Sequence, residues 1–256
     1  MAQIAINSAS ITMPLILTTV AGLSTVLGSF IFFLIKKFKN SHLVFSLGLS
    51  AGAMLYISFV ELLGNAINDS GFLIANAIFL AGIGAMMLLD FFIPHKYLNE
   101  TEGLHPDHAG LYPTGIFIAL GIAIHNFPEG MAVFISSLSD IHLGTALAVA
   151  IAVHNIPEGI AIAIPIYYAT RSKSRAFIYS FLSGVAEPLG AIAVILFLGK
   201  FVSTLTMAYL FAFVAGIMVF ICFDELLPHA IKAQHHKLAI TGIVLGMILM
   251  IASLSI

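Results

Sequence analysis

Apolar residues run along this chain in stretches of about 20 residues or more, separated by short clusters of charged residues, proline, glycine and asparagine. A helix of that length crosses a hydrocarbon core of about 30 Å, and the runs lack the alternation typical of a membrane β-barrel. The pattern predicts an all-α, polytopic membrane protein with one transmembrane domain over 1–256. The eight predicted helices span 11–35, 43–68, 72–94, 113–137, 143–169, 174–199, 203–231 and 238–256.

The amino-acid composition also indicates a membrane protein and limits its partners. The chain is 60% hydrophobic and 9% charged, whereas a soluble domain carries about 25% charged residues. A net charge of −2 without a basic patch predicts no nucleic-acid partner. The first apolar run is too long for a cleaved signal, so we expect a retained first helix. The single cysteine, Cys222, cannot form an internal disulfide and is typical of a small buried hydrophobe.

The positive charges are distributed unevenly between the predicted loops. Nine of the ten Lys and Arg residues follow helices 1, 3, 5 or 7, and only Lys200 lies on the opposite side. The positive-inside rule therefore predicts that 95–112 is a cytoplasmic loop and that both termini lie outside the cytoplasm. The nine cations are Lys36, Lys37, Lys39, Lys96, Arg171, Lys173, Arg175, Lys232 and Lys237.

An internal repeat relates the two ends of the chain. Residues 51–67 align with residues 215–231 at an offset of 164, with ten of seventeen positions identical. Helices 2 and 7 are an odd number of spans apart, so the copies run in opposite directions through the membrane. We predict a 3+2+3 arrangement in which helices 1–3 and 6–8 form an inverted repeat. Common ancestry alone explains such a repeat, but transporters often bind their substrate between inverted halves.

A polar motif occurs twice inside the apolar segments. His125, Asn126 and Glu129 reappear in the next span as His154, Asn155 and Glu158. Spacings of three and four residues place each trio on one face of its helix, and the prolines at 128 and 157 predict kinks beside them. An ionisable side chain at the bilayer centre costs at least about 2.5 kcal/mol, which favours a functional site over polar contacts at a structural kink.

A third carboxylate completes the pattern. Glu187 precedes a proline in helix 6, and the three glutamates come at intervals of 29 residues. Such a cluster repels itself unless it takes up protons or a cation. Imidazole, carboxylate and amide oxygens without thiolate suit Zn²⁺, Fe²⁺, Mn²⁺ or Co²⁺ rather than Cu⁺, as one ion or as a pair. The predicted metal ligands are His125, Asn126, Glu129, His154, Asn155, Glu158 and Glu187.

Four segments carry a family resemblance: the two motifs, residues 187–190 (Glu-Pro-Leu-Gly) and residues 224–228 (Asp-Glu-Leu-Leu-Pro). Together they resemble the ZIP (Zrt/Irt-like) metal transporters, and among them the bacterial ZupT-type zinc-uptake proteins. The resemblance covers nearly the whole chain. It implies eight helices in the cell (inner) membrane, with both termini on the side away from the cytoplasm. It also implies uptake of zinc and often of other divalent metals, through a two-metal centre across helices 4, 5 and 6.

The resemblance also implies roles for individual positions. Helices 1, 4, 5 and 6 are expected to move like an elevator against helices 2, 3, 7 and 8, and Asp224 with Glu225 would form a metal exit site. The alternative for that pair is a solvated helix end. Asn155 departs from many family members, in which an acidic residue is common. By position, one metal site comprises His125, Glu129, His154 and Glu158, and the other comprises Asn126, Glu129, Asn155, Glu158 and Glu187.

The sequence leaves alternatives open for two regions and for the function of the whole chain. The histidines and acidic residues of 95–112 offer metal ligands, but an ordinary polar loop is the favoured interpretation. Glu61, the repeat mate of Glu225, lines an entrance or marks the membrane interface. The rival function is an intramembrane zinc-dependent hydrolase, which the sequence disfavours because it contains no His-Glu-x-x-His pair. A passive metal channel would use the same ligands, and a homodimer is left open.

Overall fold

The computed structural model describes residues 8–35, 40–91, 111–198, 203–232 and 235–255. These residues form eight helices that are long and apolar enough to cross a membrane, and the described part contains no strand. The predicted all-α, multi-pass architecture is thus confirmed. The predicted loop 95–112 lies outside the described residues, apart from its last two. The helices are α1 (Ser8–Leu34), α2 (40–70), α3 (Phe72–Phe91), α4 (Leu111–Ser139), α5 (Ile141–Thr170), α6 (173–198), α7 (204–232) and α8 (His236–Leu254).

Two of the helices contain a wide turn at matching positions. In α2 a π-helical segment, Ile57–Leu62, separates Asn40–Tyr56 from Leu63–Ser70. In α7 the π-helical segment Cys222–Leu226 falls at the same place once the repeat offset of 164 is applied. Such turns are rare and frequently mark functional positions. The sequence similarity between the two helices therefore extends to a shared irregularity of their backbones.

The contacts between helices follow the same offset. Gly52 of α2 lies against the carbonyl of Ile243 in α8, and Gly216 of α7 lies against the carbonyl of Phe79 in α3. A Cβ atom at either glycine would overlap the facing oxygen. The α2–α8 and α3–α7 interfaces are thus built from matching positions, as an inverted repeat predicts, although the 3+2+3 arrangement of the whole chain stays a prediction. A second matching pair joins Gly246 to Leu49 and Gly82 to Phe213.

The helices pack as two groups. In the first, α1 packs against α4, α5 and α6, and α4 packs against α5 and α6. In the second, α2 packs against α7 and α8, and α3 packs against α7. The groups meet mainly where α2 contacts α5 and where α4 contacts α7. This is the division along which the resemblance implies an elevator-like motion, and the motion itself stays a prediction.

Polar and apolar side chains are distributed in the opposite way to those of a soluble protein. Large apolar side chains are exposed on the outer helices, such as Leu73 and Phe91 of α3. Histidine, asparagine and glutamate side chains are buried between α4, α5 and α6. An apolar exterior around a polar interior suits a chain that is surrounded by lipid. The fold therefore encloses a cluster of ionisable side chains between its helices.

Candidate metal centre

The seven predicted ligands lie together in the interior of the first helix group. Each of these residues is at most 1% exposed. Two trios come from the middle of α4 and α5. The seventh ligand follows a turn at Val185 that separates Lys173–Gly184 from Ala186–Ala193 in α6, whose last part is the π-helical segment Val194–Leu198. Helix geometry thus brings together residues that are separated by up to 62 positions, from His125 to Glu187.

The two motifs face each other as crossed pairs. His125 Nε2 lies 3.1 Å from Glu158 Oε1, and His154 Nε2 lies 3.1 Å from Glu129 Oε2. Two neighbouring ligands on a tetrahedral zinc ion, each about 2.0 to 2.1 Å from it, are about 3.3 Å apart. Each histidine and the glutamate of the other motif are therefore separated by roughly the distance that joint coordination requires.

The pairs do not yet form a complete shell. Within the described residues, no group of three or more His, Cys, Asp or Glu side chains converges on one point. Coordination of one ion by all four groups of the crossed pairs therefore requires side-chain rotation.

The asparagines are held through their amide nitrogens. Asn126 Nδ2 donates to the carbonyl of Ser183 at 3.2 Å, and Asn155 Nδ2 donates to the carbonyl of Ala21 at 3.0 Å. Asn155 Nδ2 also donates to Glu187 Oε1. The second predicted site is thereby connected to α1 and α6 by hydrogen bonds.

Five buried oxygen atoms in the centre have no hydrogen-bond partner among the described residues. An unsatisfied polar atom in an apolar interior costs about 1 to 3 kcal/mol, and more if it is charged. Five such atoms in one place therefore favour a bound cation. They are Asn126 Oδ1, Glu129 Oε1, Asn155 Oδ1, Glu158 Oε2 and Glu187 Oε2.

The charges of the buried side chains also favour a bound cation. The buried side chains of the described residues include no Lys or Arg. Three buried glutamates therefore have only two imidazoles and hydrogen-bond donors nearby. A divalent ion would stabilise the carboxylates in their ionised form.

Glycines of the motifs allow the surrounding helices to approach closely. Gly130 of α4 lies against the carbonyl of Glu187, and Gly159 of α5 lies against the carbonyl of Thr25 in α1. A Cβ atom at either position would overlap backbone atoms of the neighbouring helix. The glycine at the end of each motif thus keeps its helix in direct backbone contact with a neighbour.

The weaker candidates are less well defined. Asp224 is exposed in the π-helical segment of α7, while the side chain of Glu225 lies outside the described residues. Glu61 is half-buried in α2 and accepts a hydrogen bond from Asn65 Nδ2 at 3.3 Å. Cys222 is buried and its Sγ lies 3.9 Å from the carbonyl of Ala51, as expected for a small buried residue. The exit site stays a prediction.

Sequence reasoning missed the groups that hold the asparagines. Ala21 and Ser183 act through backbone carbonyls, which leave no side-chain signature. Each immediately precedes a glycine, Gly22 or Gly184, at which α1 and α6 touch. Glycines in adjacent spans are a general sign of close helix contact, but they do not reveal which carbonyl will meet a ligand.

Comparison with known proteins covers almost the entire chain. The profile of the family described as ZIP zinc transporter matches residues 95–253. The chain is 49% identical to the zinc transporter ZupT of Akkermansia muciniphila, over 92% of this chain and 94% of that protein. It is 43% identical to the zinc transporter ZupT of Clostridium perfringens, over 97% of each chain. It is 45% identical to the zinc transporter ZupT of Campylobacter jejuni, over 94% of this chain and 95% of that protein.

Proposed function

The chain belongs to the ZIP zinc transporter family, and we propose that it takes up zinc through the centre between α4, α5 and α6. As a member of this family it is a transporter of divalent metal ions and not an enzyme, which sets the zinc hydrolase aside. Zinc is the substrate named for its relatives. Iron, manganese and cobalt ions suit the same nitrogen and oxygen ligands, and we propose them as further substrates.

The observation that carries this proposal is the cluster of unpartnered oxygens beside the crossed pairs. Glu129 and Glu158 each direct one carboxylate oxygen to a histidine, and the other oxygen has no partner among the described residues. A carboxylate arranged in this way can bridge two ions. We therefore propose a binuclear centre. His125, Glu129, His154 and Glu158 bind the first ion, and Asn126, Glu129, Asn155, Glu158 and Glu187 bind the second.

The two proposed sites differ in chemistry. The first offers two imidazole nitrogens, which suit zinc, while the second offers only oxygen atoms from carboxylates and amides. Harder ions such as Mn²⁺ should therefore favour the second site. We call the first the histidine site and the second the asparagine site.

The helix grouping supports alternating access over a passive channel. Every proposed ligand belongs to α4, α5 or α6, and the carbonyls that hold the asparagines belong to α1 or α6. All of these helices pack in the first group. The centre can thus move against α2, α3, α7 and α8 without losing a ligand, which a carrier needs and a fixed pore does not.

The positions of the Lys and Arg residues support one orientation of the chain in the membrane. Arg171, Lys173, Arg175 and Lys237 lie at the ends of α5, α6 and α8 that share one side of the membrane. We propose that this side faces the cytoplasm, so that both termini lie outside the cytoplasmic (inner) membrane. Release past Asp224 and Glu225 would then occur on the cytoplasmic side. Self-association into a homodimer is a separate prediction, for cross-linking in membranes to test.

Zinc uptake into proteoliposomes tests the proposal. The wild type should accumulate zinc with saturation, and the combined change Glu129→Gln plus Glu158→Gln should abolish both uptake and zinc binding while the protein stays folded. The change Glu61→Gln removes a carboxylate from the other helix group and should leave bound zinc unchanged. Undiminished uptake by the folded double variant would mean that the metal path lies elsewhere.

A further inference from the structure

The first helix of the chain touches the sixth at a reciprocal glycine contact. A Cβ atom at Gly22 would overlap the carbonyl oxygen of Gly184, and a Cβ atom at Gly184 would overlap the carbonyl oxygen of Gly22. The two backbones therefore lie in direct contact. No side chain larger than hydrogen fits at either position without moving the helices apart.

The carbonyl before each of these glycines accepts a hydrogen bond from a metal-site asparagine. Ala21 precedes Gly22 and accepts from Asn155, while Ser183 precedes Gly184 and accepts from Asn126. The same contact thus serves both motifs.

The chemistry of the amide fixes its orientation. A carbonyl oxygen only accepts hydrogen bonds, so the asparagine must turn its NH₂ group toward it. The amide oxygen then points away from the carbonyl, and in both asparagines this oxygen is buried without a partner among the described residues. The backbone of α1 and α6 therefore selects the atom that each asparagine offers to a metal.

The orientation of Asn155, which is set by α1, also determines which oxygen of Glu187 is available to a metal. Asn155 Nδ2 donates both to the carbonyl of Ala21 and to Glu187 Oε1, which uses both of its amide hydrogens. Glu187 then keeps Oε2 as its unpartnered oxygen. Ser24 Oγ donates to the same Ala21 carbonyl at 2.6 Å and so helps to hold it in place.

We infer that Gly22 and Gly184 are positioning residues for metal binding: their contact places the carbonyls of Ala21 and Ser183 so that Asn155 and Asn126 present their oxygens to the ion. The inference rests on the proposed function, since it needs the asparagine site. It adds a role for α1, which supplies no ligand. It also separates these two glycines from those that only allow close packing.

Cobalt binding by the purified full-length protein tests the inference, because the absorption spectrum of Co²⁺ distinguishes nitrogen-containing from all-oxygen coordination. Asn126→Ala plus Asn155→Ala first defines the spectrum and stoichiometry without the asparagine site. Gly22→Ala and Gly184→Ala should reproduce that change, with cobalt affinity at the asparagine site about 10- to 100-fold weaker, as is typical when a partner of a metal ligand is lost. The histidine site should keep its spectrum.

Matched controls come from the other helix group. Gly246→Ala and Gly82→Ala introduce similar overlaps with the carbonyls of Leu49 and Phe213, at helix contacts that include none of the proposed ligands. They should lower thermal stability as much as the α1 and α6 changes do and leave cobalt binding unaltered. If all four glycine variants changed the cobalt spectrum alike, or if Gly22→Ala and Gly184→Ala left it unaltered, the inference would be overturned.

A second variant applies even if a glycine variant does not fold. Asn126→Asp keeps the size and the oxygen ligand but loses the NH₂ group that faces the Ser183 carbonyl. Positioning by that carbonyl predicts weaker cobalt binding, whereas a simple ligand role predicts equal or tighter binding, because the carboxylate adds negative charge. Equal or tighter binding would overturn the inference while leaving the proposed metal centre intact. Unchanged binding in the double alanine variant would overturn the asparagine site and the inference together.

Discussion

The three glutamates of the metal centre should not be equivalent when they are neutralised one at a time. Glu158 directs Oε1 to His125 and leaves Oε2 unpartnered, so it can contribute to both proposed ions. Glu187 has Oε1 engaged by Asn155, so only Oε2 remains for an ion. We therefore expect Glu158→Gln to weaken both ions and Glu187→Gln to weaken only the ion of the asparagine site.

The size of the effect follows from burial. Both glutamates are at most 1% exposed, and removing one partner of a buried charged pair costs about 3 to 5 kcal/mol. At about 1.4 kcal/mol per tenfold change, the dissociation constant of an affected ion should rise by roughly two to three and a half orders of magnitude. For Glu187→Gln, the ion of the histidine site loses no direct ligand, and its affinity should change by less than about tenfold.

Equilibrium dialysis with zinc, followed by elemental analysis of metal per protein, measures both affinities. Glu187→Gln should bind one ion within about tenfold of the wild-type affinity while the second is lost, and Glu158→Gln should hold neither as tightly as the wild type. Glu61→Gln serves as the control for loss of a carboxylate elsewhere in the membrane region. The reasoning fails if Glu187→Gln removes both ions or if Glu158→Gln spares one completely.

Three further predictions follow from the fold. Gly52→Ala and Gly216→Ala occupy matching contacts, so each should lower the unfolding free energy by a similar amount, about 1 to 3 kcal/mol, and unequal thermal shifts in detergent would contradict the match. Asp140 caps α5 by accepting from a backbone N–H at 2.8 Å. Asp140→Ala should therefore cost about 1 kcal/mol of stability, and a thermal shift without loss of bound zinc would support this. A membrane-impermeant thiol reagent should label Asp69→Cys in intact cells and Arg171→Cys only after permeabilisation, and the reverse result would invert the proposed orientation.

Much of the architecture could be predicted because its signals are local. Eight apolar runs specify eight spans whatever their packing, since backbone groups in lipid must bond within a helix. The ligand set also follows from short spacings: His125 and Glu129, four residues apart, must share a face wherever the helix lies. The interval of 29 residues then pointed to Glu187.

Other features depend on how helices rotate and meet. The pairing of His125 with Glu158 across two helices is set by the rotation of α4 against α5, which periodicity does not encode. The hydrogen bonds to Ala21 and Ser183 involve main-chain atoms that every residue possesses. The π-helical segment at Ile57–Leu62 also has no clear sequence signal, because it contains neither the proline nor the glycine that would indicate an irregular turn.

The π-helical segments at matching positions in α2 and α7 bear on the history of the chain. A π turn holds more residues than the α turn it replaces, so it is what a one-residue insertion in a membrane helix leaves behind. A single insertion in an ancestral three-helix unit accounts for both segments, provided that it came before the duplication that produced the two copies. On that account the irregularity is older than the present chain, and it dates from a time when two separate copies had to assemble in opposite orientations.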